Sequence, residues 1–177
     1  MKLHVPLGLL ALSTVILFAL PARAEEPMLP FAEGLRRRGM HDTALQYLAA
    51  MSTSKLATTE QKKLIPYEEG LTLVEQAGTL RDAVEQKKLL DAATAKFEQF
   101  MRANSEHLLT PSAGTHLGNI LVIRGRTLLA TATQVPDPAQ QKQQIADGRK
   151  LLTDAQARFA DAETRFAAKE KSFPRIT

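Results

Sequence analysis

The sequence predicts an all-α protein built from three antiparallel pairs of long helices. Ala, Leu, Gln, Lys, Glu and Arg dominate the chain after Glu25, and no segment alternates apolar and polar residues for long. A short signature also recurs, in which Ala is followed after four residues by Leu or Phe and after three more by an apolar residue. The spacing places each trio on one helical stripe, which predicts a stack of helix pairs. The trios are Ala44-Leu48-Met51, Ala93-Phe97-Phe100 and Ala155-Phe159-Ala162.

Capping residues mark where the helices begin. Thr58 or Thr59 is a suitable N-cap, and Thr110-Pro111 and Asp137-Pro138 each combine an N-cap with proline at the first helical position. Six principal helices follow from these signals and from the apolar periodicity. The expected pairs are 29–38 with 41–52, 58–77 with 80–103, and 111–132 with 138–171.

Proline and glycine positions predict interruptions in the middle of the chain. Pro66 lies inside the expected third helix, where its ring removes a backbone donor and clashes with the preceding turn. We therefore expect a kink or a break near Ile65. Gly78 is expected to close this helix, and Thr79 or Leu80 to open the next one.

The last helix carries an a/d pattern over three heptads, which requires a partner along one side. Gly148 lies within this pattern and costs helix stability of about 1 kcal/mol, so we expect a close helix crossing there. A repeat stack needs a polar cap, yet Phe173 and Ile176 follow the seam, which predicts further repeats or a covering subunit at this end. The seam comprises Ile145, Gly148, Leu152, Ala155, Phe159, Ala162 and Phe166.

The first 24 residues read as a secretory signal peptide, with the folded domain spanning residues 25–177. An apolar run covers Leu7 to Leu20, and Ala22-Arg23-Ala24 offers the small-x-small cleavage pattern. The alternative is an uncleaved membrane anchor, although the run is short for a span of about 20 residues. The chain has no cysteine, which excludes disulfides and a lipoprotein anchor. We expect an exported protein of a bacterial periplasm or cell envelope, or a secreted one, without a stable membrane anchor after cleavage.

Composition argues against a nucleic-acid partner. The formal net charge is +4, part of which belongs to the signal peptide, and aromatic residues make up only 5% of the chain. A balance this close to neutral provides no electrostatic footprint for phosphates, and few aromatic rings are available for base stacking. We expect no nucleic-acid binding.

No residue pattern indicates catalysis, a cofactor or a metal. His41, His107 and His116 do not follow metal-ligand spacing, and glycine-rich phosphate loops and nucleophile elbows are absent from the sequence. The adjacent carboxylates of Glu68 and Glu69 diverge by about 100° on a helix, so a solvated helix face is their expected role. We therefore expect a protein that is not an enzyme and has neither cofactor nor metal.

The residues of the three helix pairs resemble the tetratricopeptide-repeat family, those of the second pair less closely. In the second pair Tyr67 and Leu71 fit the first helix loosely, and Ala93, Phe97 and Phe100 fit the second helix well. Successive Ala markers lie further apart than the family's period of about 34 residues. The resemblance implies a short right-handed TPR-like α-solenoid with units 29–52, 58–104 and 111–171, typical of divergent exported bacterial repeat proteins. The matching residues are Phe31, Ala32, Leu35, Gly39 and Ala44 in the first unit, and Leu117, Gly118, Leu121 and Ala155 in the third.

The same resemblance implies a protein- or peptide-binding groove lined by the first helix of each unit. Glu33, Arg36, Glu69 and Asn119 would project into that groove. The densest charge run, Arg36-Arg37-Arg38, has a simpler interpretation, because cations at a helix C-terminus complement the helix dipole. An anionic partner is the alternative for this run.

Three functional hypotheses follow. The first is an exported helical-repeat scaffold that mediates protein–protein or peptide binding. The second is a helical-hairpin or coiled-coil structural protein that self-associates along the seam of residues 145–166. The third is an accessory segment of a longer enzyme whose catalytic part lies beyond Thr177.

Overall fold

The computed structural model describes residues 27–171 and shows an all-α fold. The six helices match the predicted pairs closely, and this part of the chain contains no strand. The predicted signal peptide, 1–24, and the apolar residues Phe173 and Ile176 lie outside the described range. The helices are α1 (Met28–Arg37), α2 (His41–Thr53), α3 (Thr59–Thr79), α4 (Ala83–Ala103), α5 (Thr110–Ala132) and α6 (Pro138–Glu170).

Consecutive helices pack against each other throughout residues 27–171, and α1 also contacts α3. The second pair is antiparallel, because Gly70 of α3 faces Phe97 of α4, whereas Ala77 further along α3 accepts a hydrogen bond from the earlier residue Gln86. The first pair is reversed by a tight turn in which Gly39 has a φ of +72°. That left-handed conformation favours glycine, because a side chain there would clash with the backbone.

Two of the predicted N-caps are confirmed. The Thr58 hydroxyl accepts a hydrogen bond from the Gln61 backbone N–H, and the Gln61 side chain accepts one from the Thr58 N–H, which completes a capping box. The Asp137 carboxylate accepts from the backbone N–H of Ala139 at the start of α6. Both devices depend only on neighbouring residues, which explains why the sequence predicts them well.

The predicted N-cap at Thr110 is wrong. Thr110 is the first residue of α5 rather than the residue before it, and its hydroxyl donates to the carbonyl of Asn104, 2.5 Å away. The hydroxyl therefore closes the α4–α5 turn instead of satisfying the first amides of α5.

The predicted start of α4 was also wrong, since the helix begins three to four residues later than expected. Asp82 is the N-cap, and its carboxylate accepts from the backbone N–H groups of Val84 and Glu85. The Thr79 hydroxyl instead donates to the carbonyl of Gln76 and belongs to the end of α3. Asp82 caps the helix in place of Thr79 or Leu80, so α4 begins at Ala83.

The expected break near Ile65 is absent, because α3 runs through Pro66 from Thr59 to Thr79. A proline inside a helix costs about 3 kcal/mol. Its neighbours Ile65 and Tyr67 are both buried in the core, and their packing holds the helix together across this position.

The recurring Ala stripes form the core. A first cluster joins α3, α4 and α5 around Phe97 and Phe100, and a second joins α1, α2 and the start of α3 around Leu48. Of the nine stripe residues, Phe159 alone is half-buried and the others are buried. The interpretation of the trios as core positions is confirmed.

The helices α5 and α6 cross at their glycines, as expected for Gly148. A Cβ atom at Gly125 would lie 2.9 Å from the carbonyl oxygen of Gly148, and one at Gly118 would lie 2.5 Å from Cε1 of Phe159. Because residue numbers rise along α5 as they fall along α6, this pair is antiparallel. The α6 seam is therefore packed on α5 of the same chain.

Candidate functional site

The four polar residues predicted to line a groove occupy different environments. Glu33 is exposed and pairs with Arg37 one turn further along α1. The Glu69 side chain is mostly covered and pairs with Lys96 of α4. Asn119 is exposed on α5, and no hydrogen bond or ion pair within residues 27–171 joins it to the others.

Arg36 faces inward rather than outward. Its Nη1 donates to Oε2 of Glu68 over 2.6 Å, and its Nε lies 3.4 Å from Oε1 of Glu75. Burial raises the pKa of Glu68, while the charge and hydrogen bond of Arg36 oppose that shift. The expectation of a solvated face at Glu68 is wrong, because the packing of α1 on α3 encloses this carboxylate with a cation.

Two histidines belong to an aromatic cluster beside the main core. The His116 ring stacks on Phe97 with centroids 5.1 Å apart, and its Nε2 lies 3.4 Å from the hydroxyl oxygen of Tyr67. Burial lowers the pKa of His116 and raises that of Tyr67. His107 packs edge-on against Phe100, and its Nδ1 accepts from the backbone N–H of Leu109. These contacts engage both rings in packing.

Metal ligands do not converge in the part of the chain that the structure describes. No group of three His, Asp or Glu side chains between residues 27 and 171 is arranged to hold an ion. The carboxylates near Arg36 and Lys96 are instead engaged in ion pairs, as described above.

An apolar groove of 360 Å³ lies between the beginning of α4, the second half of α5 and the middle of α6. Its volume falls in the range of about 300–1,000 Å³ that is typical of ligand pockets. We call this surface the α4–α6 groove. Its aliphatic lining is formed by Val84, Leu90, Ile123, Leu128 and Leu151.

Val84 is 74% exposed at the edge of the α4–α6 groove. It lies in the first turn of α4, where Asp82 caps the helix and Glu85 follows. The sequence analysis did not single out this groove. The local signal for it was an apolar side chain between two acidic ones, Asp82 and Glu85, at the start of α4.

The charged residues lining the α4–α6 groove are both cations, Lys87 and Arg124. They share a single carboxylate: Lys87 Nζ lies 2.9 Å from Oδ2 of Asp91, and Arg124 Nη2 lies 2.5 Å from Oδ1. The hydrogen bond from Lys87, together with the charge of Arg124, lowers the pKa of Asp91. This site can therefore receive apolar side chains beside a positive charge.

A smaller apolar patch lies at the opposite end of α6. Phe166 is 45% exposed, as the sequence predicts for the end of the seam, and Leu108 from the α4–α5 turn is 55% exposed. Both residues line a shallow depression that also includes Glu163 and Glu170.

Comparisons with other proteins supply no relative from which a site could be transferred. No protein-family model matches the sequence, and comparisons with curated proteins and with solved structures give no match. None of the helices within residues 27–171 combines the length and apolar character needed to cross a membrane. The function is therefore argued from the contacts and charges of this chain.

Proposed function

We propose that this chain is an exported, non-enzymatic helical scaffold that binds a protein or peptide in the α4–α6 groove. The observation that carries the proposal is the aliphatic lining of this groove, with Val84 open to solvent. An apolar groove between helices is a common receptor for amphipathic peptides.

The side chains that could act as acids or bases are held in contacts with other side chains, which supports a binding role over a catalytic one. Glu68 is paired with Arg36, and His116 is stacked on Phe97 and lies against Tyr67. Neither group lines the α4–α6 groove or the depression at the end of α6. A scaffold uses these residues to hold its helices together.

The TPR-like part of the proposal is a short right-handed α-solenoid with units 29–52, 58–104 and 111–171. It is supported by the sequential packing of the three helix pairs and by the contact of α1 with α3, the first helices of two successive units. Export is supported by the apolar run and the Ala22-Arg23-Ala24 cleavage pattern. Mass spectrometry of the exported product should show a chain beginning at Glu25, whereas an intact N-terminus would favour the membrane anchor.

The structure directs the proposal away from the polar surface expected from the sequence. Arg36 is occupied by Glu68, and Glu69 by Lys96, so neither is free to bind a partner without breaking an ion pair. Self-association along the α6 seam also receives little support, because Gly118 and Gly125 of the same chain cover it. The α4–α6 groove is open and lined by aliphatic side chains, and we place the partner there.

Site-specific photo-crosslinking in the cells that export the protein tests the proposal. A photoreactive residue at Val84 should form a discrete protein adduct. The matched control is Leu56, an apolar residue that is 69% exposed in the α2–α3 turn. Adducts at neither position, or equal adducts at both, would contradict a specific role for the groove.

A further inference from the structure

We infer that the α4–α6 groove recognises an amphipathic helix that places a carboxylate beside its apolar residues. This inference deepens the proposed function and rests on it. Two features of the groove carry it: the sign of its charges and the apolar character of its floor.

The charges of the groove are incompletely balanced. Lys87 and Arg124 both contact Asp91, and within residues 27–171 neither has another ion pair. Two cations opposite one carboxylate leave a net positive charge at the edge of an apolar surface. A ligand carboxylate would complement that charge, whereas a basic ligand would be repelled.

Arg124 is the cation of the groove best suited to bind a carboxylate. Its Nη2 is bonded to Asp91, and the side chain as a whole is 25% exposed. A guanidinium presents several donors in one plane and binds carboxylates well, so a ligand carboxylate would pair with it beside Asp91.

The apolar floor favours a helix over an extended peptide. An extended segment would lay backbone N–H and C=O groups against Ile123, Leu128 and Leu151, with no strand edge in residues 27–171 to pair them. A helix satisfies its own backbone and presents apolar side chains at spacings of three and four residues. The groove is itself bordered by three helices, which suits a fourth.

A second copy of the chain is the competing occupant. The depression at the end of α6 combines Phe166 with the charged residues Glu163, Lys169 and Glu170. Its large exposed apolar side chains are Phe166 and Leu108, whereas the groove is lined by aliphatic residues from three helices. Such a contact would also be head-to-tail and would build rings or open chains, whose mass distinguishes them from a complex with a peptide.

The first test selects helical peptides from a random display library on the full chain, with the Val84→Asp chain as counter-selection. The recovered peptides should combine Leu, Ile or Phe at spacings of three and four residues with Asp or Glu. Recovery of Lys- or Arg-rich peptides would overturn the inference. So would a failure to recover any peptide specific to the unmodified chain.

The second test measures the affinity of a recovered peptide by fluorescence anisotropy. Arg124→Gln should weaken binding about tenfold, while Arg126→Gln, at an exposed position on the same helix, should leave affinity unchanged. Replacing the peptide carboxylate by an amide should remove the effect of Arg124→Gln, as expected for a direct pair. Circular dichroism must show that both variants keep their helical content.

The outcomes separate this inference from the proposed function. Binding that is lost in Val84→Asp but is indifferent to Arg124→Gln would refute the acidic occupant and leave the groove as a binding site. Absence of Val84 crosslinks would count against the binding site itself. Light scattering tests for a second copy as the occupant. If the molar mass rises with protein concentration in the unmodified chain but not in Phe166→Ala, a second copy occupies the groove and the inference is overturned.

Discussion

Arg36 and Arg37 are adjacent in the sequence and have opposite surroundings. Arg36 is 8% exposed and bonded to Glu68, whereas the Arg37 side chain extends into solvent and pairs with Glu33 on the same helix. Neighbouring residues on a helix point about 100° apart, so one can face α3 while the other faces water. For these two residues, the side of α1 on which each lies decides whether its charge forms a buried ion pair between helices or an exposed pair within one helix.

Replacing these two arginines should separate the two roles. Arg36→Ala leaves the Glu68 carboxylate buried without its cation and should cost about 3–5 kcal/mol. Arg37→Ala removes an exposed i,i+4 pair and should cost about 0.3–0.5 kcal/mol. The free energy of unfolding in urea measures both. Equal losses would show that the buried pair has no special structural role.

His116 should make the stability depend on pH. Burial lowers its pKa below the ordinary value of 6.5, so on acidification the unfolded chain binds a proton before the native chain does. Stability should therefore fall as the pH drops below about 6.5 and through the lowered native pKa. Urea unfolding across that range should give a shallower dependence for His116→Phe, which keeps a ring against Phe97. Identical slopes for the two proteins would refute the assignment.

The closest packing between two elements is that of α5 on α6. Gly125 and Gly148 bring the two backbones together, and Gly118 receives the ring of Phe159. Glycine inside a helix is unfavourable by about 0.5–1 kcal/mol relative to alanine. Each of these glycines therefore lowers the stability of its own helix but allows α5 and α6 to pack closely. The apolar seam of α6 is covered because the glycines of α5 let the two helices approach each other closely.

Alanine substitutions should distinguish contact glycines from incidental ones. A Cβ at Gly125 would meet the backbone oxygen of Gly148, which cannot move without shifting the helix, so Gly125→Ala should destabilise by about 1–3 kcal/mol. Gly34 in α1 has open space around its Cα, so Gly34→Ala should stabilise by about 0.5–1 kcal/mol. Thermal unfolding measures both effects. A stabilising Gly125→Ala would mean that the helices do not cross at this point.

The whole molecule is organised as a chain of neighbours, since each helix packs mainly on those that precede and follow it. One cluster of buried side chains joins α3, α4 and α5, and another joins α1, α2 and the start of α3. The α4–α6 groove opens where α4 no longer covers α5, beyond the Asp91–Arg124 pair. Sequential packing of this kind leaves surfaces between helices that a partner can fill.

Phe159→Glu should unfold the α5–α6 pair without altering the association state. The ring lies against Gly118, so a carboxylate there would be partly buried without a partner. Leu56→Glu is the control, because this side chain is 69% exposed in the α2–α3 turn, away from the seam, and should change stability by no more than about 0.5 kcal/mol. Light scattering and urea unfolding are measured together. A wild-type dimer that Phe159→Glu converts to a folded monomer would instead favour self-association along the seam.

The sequence by itself determined the helices, their order and most of their ends. Thr58, Gly39 and Asp137 act on backbone groups within a few residues, and the Ala stripes repeat at helical spacing. Such signals are local, so they can be recognised without knowing where the rest of the chain lies. The break allowed for at Pro66 does not occur, because α3 continues through it within the core, and at the start of α4 the Asp82 cap prevailed over the expected start at Thr79 or Leu80.

Only the tertiary structure decided which polar residues are buried and where the surface stays open. Arg36 and Glu68 are 32 residues apart, and Asp91 and Arg124 are 33 apart, so no periodicity within one helix could pair them. The groove likewise draws its lining from α4, α5 and α6. Its existence depends on the angles at which three helices meet, which are set by the packing of side chains distant in sequence.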